Sequence, residues 1–190
     1  MPRRRRLNRE LVIEQAVALA DAHGDVGSVS LTALAQALKI RPPSLYNHVS
    51  SLEDLQQGMA LFGLRQLLAD LRQASMGLVG REAVAAIAAA YRHFAQQHPG
   101  IYLLTIRAPE REESELVVLS QELVHLLLLV MASIGLQGDD AIHAIRGLRA
   151  ILHGYTSLEV AGGYKMPLDR EESFHRLINT YLDGLIRSFR

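Results

Sequence analysis

The sequence predicts an all-α fold of about nine helices, and three observations carry that prediction. Apolar residues return at helical spacing through most of the 190 residues, with no convincing strand-like alternation. Pro-Gly and Gly-Gly pairs punctuate the periodic segments, as at Pro99-Gly100 and Gly162-Gly163. Near the N-terminus, Ser30 to Val49 reads as two short helices joined by a tight turn, the layout of a helix-turn-helix head.

The elements follow in order. Leu11 to His23 repeats apolar residues through Val12, Ile13, Ala16, Val17, Leu19 and Ala20, with Asn8 placed to cap the helix and Gly24 to stop it. Ser30 is placed to cap the next helix, whose apolar stripe is Leu34, Ala35 and Leu38. Pro42-Pro43 suit only the first positions of the helix after that, where a missing amide donor is not felt. Leu45 and Val49, four apart, face inward from it. Arg41, Ser44, Tyr46, Asn47 and His48 then point outward, a set of hydrogen-bonding side chains suited to base edges and phosphates.

Ser50-Ser51 followed by Glu53-Asp54 starts a fresh helix from Leu52 to about Ala74, its acids matched to the helix dipole. Arg81 to His98 is alanine-rich and ends at Pro99-Gly100; a short apolar piece from Ile101 to Arg107 ends at Pro109. Glu110 to Ile134 opens on acids and becomes apolar on nearly every side around Leu123 to Met131, which predicts a helix buried centrally among others. Gly135 to Gly138 breaks it. Asp139 to Val160 and Asp169 to Phe189 are the last two helices, separated by a loop at 161–167.

Composition narrows the function classes. A 49% hydrophobic content is ample for a buried core, and the absence of cysteine removes disulfide frameworks and thiolate zinc sites. No signal-like apolar run follows the N-terminal arginines, and the longest greasy stretch, Leu126 to Met131, is too short to span a bilayer. A cytoplasmic protein with no membrane partner is expected. Formal net charge is zero, yet residues 1–50 hold seven Arg or Lys against four acids, so the basic end coincides with the head. Arg3, Arg4, Arg5 and Arg6 read as an arm for phosphates or a minor groove, or else as a solvated tail.

No catalytic constellation assembles. His93 and His98 are five apart, so no histidine pair has the spacing that puts two metal ligands on one helix face. Gly162-Gly163 lacks the lysine and helix start of a phosphate loop, and Ser44, Ser51 and Ser120 lack the strand-turn-helix setting of a nucleophile. No enzyme activity, metal or cofactor is expected.

The last two helices carry a different signal. Phe174, Leu177, Ile178, Tyr181, Leu185, Ile186 and Phe189 form one broad stripe, and Ala144, Gly147, Ile151, Gly154 and Leu158 make a face where small residues let another helix approach closely. Together they predict a surface that pairs with its own copy, the competing reading being intrachain core. A twofold protein with two heads implies a palindromic site with fixed half-site spacing.

The chain resembles the tetracycline-repressor (TetR) family of bacterial transcription regulators. The resemblance rests on Leu31-Thr32-Ala33-Leu34-Ala35-Gln36-Ala37-Leu38 and on Pro43-Ser44-Leu45-Tyr46-Asn47-His48-Val49 followed by Leu55, and it covers the whole chain in helix order and size. Leu152-His153-Gly154, Leu158-Glu159 and the Gly162-Gly163-Tyr164 loop are similar to the C-terminal region called WHG in one branch, although Trp is absent here. The resemblance implies a DNA-binding domain over 1–50 and a ligand-sensing and dimerisation domain over 51–190. It implies that Thr32 touches a phosphate or base, that Arg41, Pro42, Pro43, Ser44 and Asn47 face the major groove, and that Tyr46 and His48 hold phosphates. Two positions depart from the family pattern: Lys39 stands where glycine is usual in the turn, and Leu52 where a lysine is common. A left-handed Lys39 costs on the order of 1 kcal/mol. Backbone amides at the Ser51 helix start and the arginine arm would replace the missing lysine.

Family members commonly bind a small molecule in the second domain, and Phe62, Tyr91, Phe94, Tyr102, His125, Met131 and His153 are the candidate lining, each with ordinary core as the competing reading. The expected protein is a homodimeric repressor released from a palindromic operator by a small apolar or amphipathic ligand. The alternative is a ligand-independent DNA-binding dimer that positions a protein partner.

Overall fold

The computed structural model describes residues 7–107 and 114–188, which leaves Arg3 to Arg6 and Phe189 outside the described residues. Within these the chain forms nine α-helices and no strand. They are α1 (Arg9–His23), α2 (Leu31–Leu38), α3 (Pro42–Leu45), α4 (Leu52–Ser75), α5 (Gly80–Gln97), α6 (Tyr102–Thr105), α7 (Glu115–Ala132), α8 (Gly138–Val160) and α9 (Arg170–Ser188), with a 3-10 turn at Val26–Ser28.

The head begins and ends its helices as the caps dictate. The Asn8 side chain accepts from the Leu11 amide at 2.9 Å, and Gly24 closes α1 in the left-handed region at φ 69°. Ser30 Oγ accepts from the Ala33 amide at 3.1 Å to start α2. Pro42 and Pro43 occupy the first turn of α3. Val49 is buried as expected, but α3 stops at Leu45 and residues 46–48 form turns instead of continuing the helix. The ladder tightens at His48, whose amide donates to the Leu45 carbonyl at 2.8 Å in place of the Ser44 carbonyl, and further on the Ser50 amide donates to Asp54 Oδ2 at 2.7 Å instead of reaching back to Tyr46.

Packing divides the chain into two compact units, Met1–Gln66 with Gln97–Val117 and Leu67–Gln96 with Val118–Arg190. The first unit extends past residue 50, because Leu55 and Met59 of α4 and Ile101 belong to the same core as Val12, Leu34 and Leu45. Gly100 lies flush on α1: a Cβ there would overlap the Ala20 carbonyl. The Asp21 carboxylate accepts from the Gly100 amide at 3.0 Å and from His98 Nδ1 at 2.7 Å. Only a glycine permits this approach.

In the second unit, Arg92 of α5 is the organising side chain. Its guanidinium donates twice to Glu159 of α8, at 2.7 and 2.8 Å, and once to Glu171 of α9, at 2.5 Å. It lies over the Phe174 ring, 4.8 Å from the centroid. The Tyr155 ring stacks between Phe174 and Tyr164 at 5.1 and 4.9 Å, which draws the Gly162-Gly163-Tyr164 loop into the same cluster.

One expected burial fails. Only Val130 and Met131 of α7 are buried, while Val118, Val124 and Leu129 are exposed. Apolar residues all round a helix say that its surface favours cover, not that this chain supplies the cover. The 18 residues of α7, at a mean hydropathy of 1.8, also have the length and composition to cross a membrane, contrary to the expectation from Leu126 to Met131 alone.

Candidate nucleic-acid interface

The head presents a short continuous surface. Arg41, Pro42, Pro43, Tyr46 and Asn47 are exposed in succession, Tyr46 at 59%, and the Arg41 guanidinium has no partner among the described residues. Tyr46 leaves apolar ring surface in water that no described residue covers. Thr32 is exposed in the first turn of α2. Ser44 and His48 differ from expectation: both are half-buried, Ser44 within α3 and His48 in the turn after it.

Lys39 caps α2 in the left-handed region at φ 56° and ψ 42°, the sole non-glycine residue with positive φ among those described. The turn therefore does demand the conformation that glycine adopts without cost. Its amide donates to the Ala35 and Gln36 carbonyls, closing the helix as Gly24 closes α1.

The start of α4 is held by a cluster that sequence patterning did not single out. Arg9 Nη2 and Nη1 donate to the two Asp54 carboxylate oxygens at 2.5 and 3.0 Å, and Nη1 also donates to the His48 carbonyl at 2.9 Å. Ser50 Oγ adds a further donor to Asp54 at 3.1 Å. Arg9 and the Ser50 amide hold the Asp54 carboxyl well below the usual carboxylate range, and Asp54 in turn raises the Arg9 guanidinium. Ser51 Oγ accepts from the Asp54 amide at 3.0 Å, so Ser51 is exposed but already serves as the α4 cap. The Ser50 and Asp54 amides are thus engaged, which narrows the backbone donors expected to replace the lysine missing at Leu52. The separation of 45 positions between Arg9 and Asp54 explains why periodicity did not reveal them.

The candidate ligand residues are spread over both units. Phe62 and Tyr102 fall in the first, Phe62 half-buried with its ring centroid 6.3 Å from that of His98 in an edge-to-face arrangement, and Tyr102 buried. Tyr91, Phe94 and Met131 are buried in the second, His153 is half-buried and hydrogen-bonded to Ser157, and His125 is exposed on α7. An exposed histidine on that helix does not line an interior.

Several residues expected at a pairing surface are instead intrachain core. Ala144, Phe174 and Ile178 are buried. Gly147 makes room for Tyr181, since a Cβ there would fall 2.7 Å from the tyrosine hydroxyl, and that hydroxyl donates to the Ala144 carbonyl. The small residues at 144 and 147 thus serve the α8–α9 contact within one chain. Gly154 and Leu158 are exposed, and Ile151, Leu177, Tyr181 and Leu185 are half-buried.

Comparison with known proteins agrees with this architecture. Residues 84–181 match the family model described as tetracyclin repressor-like, C-terminal domain. The chain is 34% identical over 181 residues to YobS of Bacillus subtilis, an uncharacterized HTH-type transcriptional regulator, covering 95% of this chain and 93% of that one. A Rhodococcus protein of unknown function shares the fold with a TM-score of 0.79 at 23% identity, over 96% of this chain and 97% of its own. BioQ, solved with its natural double-stranded DNA operator, does so with a TM-score of 0.67 at 21% identity, over 95% and 99%.

Proposed function

Because this chain belongs to the TetR family of DNA-binding transcriptional regulators, we propose that it is a homodimeric repressor that leaves a palindromic operator when a small apolar or amphipathic ligand enters residues 51–190. The observation that carries the reading is the set of bare residues Arg41, Pro42, Pro43, Tyr46 and Asn47 along α3 and the turn that follows it. Its donors and acceptors suit base edges and phosphates, with Thr32 and the Arg3 to Arg6 arm adding phosphate contacts. Two copies related by a twofold axis read two half-sites, hence a palindrome. Ile151, Gly154, Leu158, Leu177 and Leu185 remain for the pairing surface once the buried members and the contact of Gly147 with Tyr181 are removed. Such a regulator acts in the cytoplasm, where the chromosome lies.

Phe62, Tyr91, Phe94, Tyr102, Met131 and His153 remain the candidates for ligand contact. Tight binding alone does not release DNA; the ligand must favour one spacing of the two heads over the other.

One observation favours the alternative, a ligand-independent dimer that positions a protein partner. The exposed Val118, Val124 and Leu129 of α7 offer apolar surface outside the head.

Selection of random duplex DNA by the purified protein tests the main reading. Recovery of a palindrome with a steep dependence on salt is the expected result. Locating that palindrome in the source genome then identifies the controlled genes and, through them, the ligands to assay for release. Recovery of no sequence overturns autonomous DNA reading and moves the partner-positioning dimer into first place.

A further inference from the structure

We infer that Arg9 and Asp54 position the DNA-reading segment from within the protein, and that Arg9 does this instead of binding a phosphate. The inference rests on residues 41–48 being the segment that meets DNA. Arg9 is the first residue of α1, and Asp54 sits in the first turn of α4. Between them they hold three chain segments at one point: the start of α1, the carbonyl of His48 at the end of the reading segment, and the start of α4.

This junction holds the chain where it leaves the reading segment. A helix running on from Leu45 would pair the Ser50 amide with the Tyr46 carbonyl, but Asp54 Oδ2 takes that amide at 2.7 Å. The His48 carbonyl, which would otherwise face onward, is taken by Arg9 at 2.9 Å. With both groups committed, Tyr46 and Asn47 sit in a turn of fixed geometry and are exposed. Arg9 therefore differs in kind from Arg41, whose guanidinium has no partner among the described residues. Although Arg9 belongs to the basic excess at this end of the chain, its charge is already matched by a bidentate carboxylate.

Electrostatics and positioning predict opposite signs for one substitution. Asp54 is a negative charge beside a surface that meets phosphates, so its simple removal favours DNA binding by Coulomb attraction. If Asp54 instead aims the reading segment, its removal weakens binding.

The test measures affinity for a fluorescein-labelled duplex carrying the selected palindrome, across a salt series, for Asp54→Asn, Arg9→Met, the double variant and Tyr46→Ala. The expected result is a loss of about tenfold for each latch variant, no further loss in the double variant, and a salt slope equal to that of the parent chain. Tightening by Asp54→Asn, or a slope reduced by about one unit in Arg9→Met, overturns the inference and makes Arg9 a phosphate contact. Should Arg9→Met lose helix content by circular dichroism, Asp54→Asn decides alone, since the amide keeps an acceptor for Ser50. Tyr46→Ala separates the two levels of the argument. Its failure to weaken binding overturns the placement of the reading segment itself, whereas weakening by Tyr46→Ala with no loss in Asp54→Asn overturns the latch alone.

Discussion

Two arginines, one in each compact unit, are used in opposite ways. In the first, Arg9 and Asp54 keep 45% and 25% of their side-chain surface in water; in the second, Arg92 and Glu159 keep 9% and 7%. Water can replace either partner of the exposed pair, so that pair sets a direction while adding little to stability. Arg92 cannot leave without stranding the Glu159 charge away from solvent, whereas Arg92 keeps Glu171 if Glu159 is removed. The head is thus held by several weak, replaceable bonds, and the junction of α5, α8 and α9 by a few that cannot be replaced.

Removing Arg92 should produce the largest effect. Arg92→Ala leaves Glu159 charged and buried, and is expected to cost roughly 3 kcal/mol or more of unfolding free energy by urea titration. The matching change in the head, Arg9→Ala, is expected to cost less than about 1 kcal/mol. Replacing Arg92 and Glu159 together by methionine should restore much of the loss, because no orphaned charge remains between them. Equal costs for Arg92→Ala and Arg9→Ala would break the contrast between the two units.

Acid should weaken both units by the same physics. Arg92 holds the Glu159 carboxyl below its ordinary range, as Arg9 does for Asp54. Each depressed carboxylate contributes stability that is present above the unfolded-state pKa, about 4, and is lost as pH falls through the depressed folded value. Melting temperature is therefore expected to drop below about pH 4. Asp54→Asn with Glu159→Gln should flatten that profile, and each single variant reports its own unit's share. A profile unchanged in Glu159→Gln would mean that the buried cluster is stable without its charge.

The same contrast explains what could be read from the sequence. Helix order, the Asn8 and Ser30 caps and the Gly24 stop were legible because each partner lies within four residues. The left-handed turn at Lys39 was legible only through the family resemblance, in which glycine is usual at that position. What escaped were pairs joined by the fold: Arg9 with Asp54, His98 with Asp21, and Arg92 with Glu159 and Glu171. No periodicity records them, since each is a single polar residue whose partner lies tens of residues away. The candidate interface was legible as a segment but not in its end, because α3 closes with the His48 amide on the Leu45 carbonyl although Leu45 and Val49 fit one helix face. Burial of α7 was misread because apolar content states a need for cover without naming the chain that supplies it. Ala144 and Gly147 were misread as a pairing face because small residues also admit a neighbour such as Tyr181 from the same chain.

The smallest effect belongs to the backbone of the head, where one geometry occurs twice with different residues. Gly24 closes α1 at φ 69° and Lys39 closes α2 at φ 56°, each donating its amide to two carbonyls of the preceding turn. Glycine meets this conformation without a Cβ penalty, whereas lysine is strained by about 1 kcal/mol. Lys39→Gly should therefore gain up to about 1 kcal/mol, or a rise of about 2–4 °C in Tm for a chain of this size. Glycine also has more freedom to lose from the unfolded state, which trims the gain. Lys39→Asn should fall between the two, since asparagine tolerates the left-handed region better than lysine. Gly24→Ala is the opposite experiment on the same geometry and should lose about 1 kcal/mol. A gain from Lys39→Gly as large as the loss from Arg92→Ala would mean that the head stores its stability in one strained turn, and the picture of many small local bonds would give way to a single dominant one.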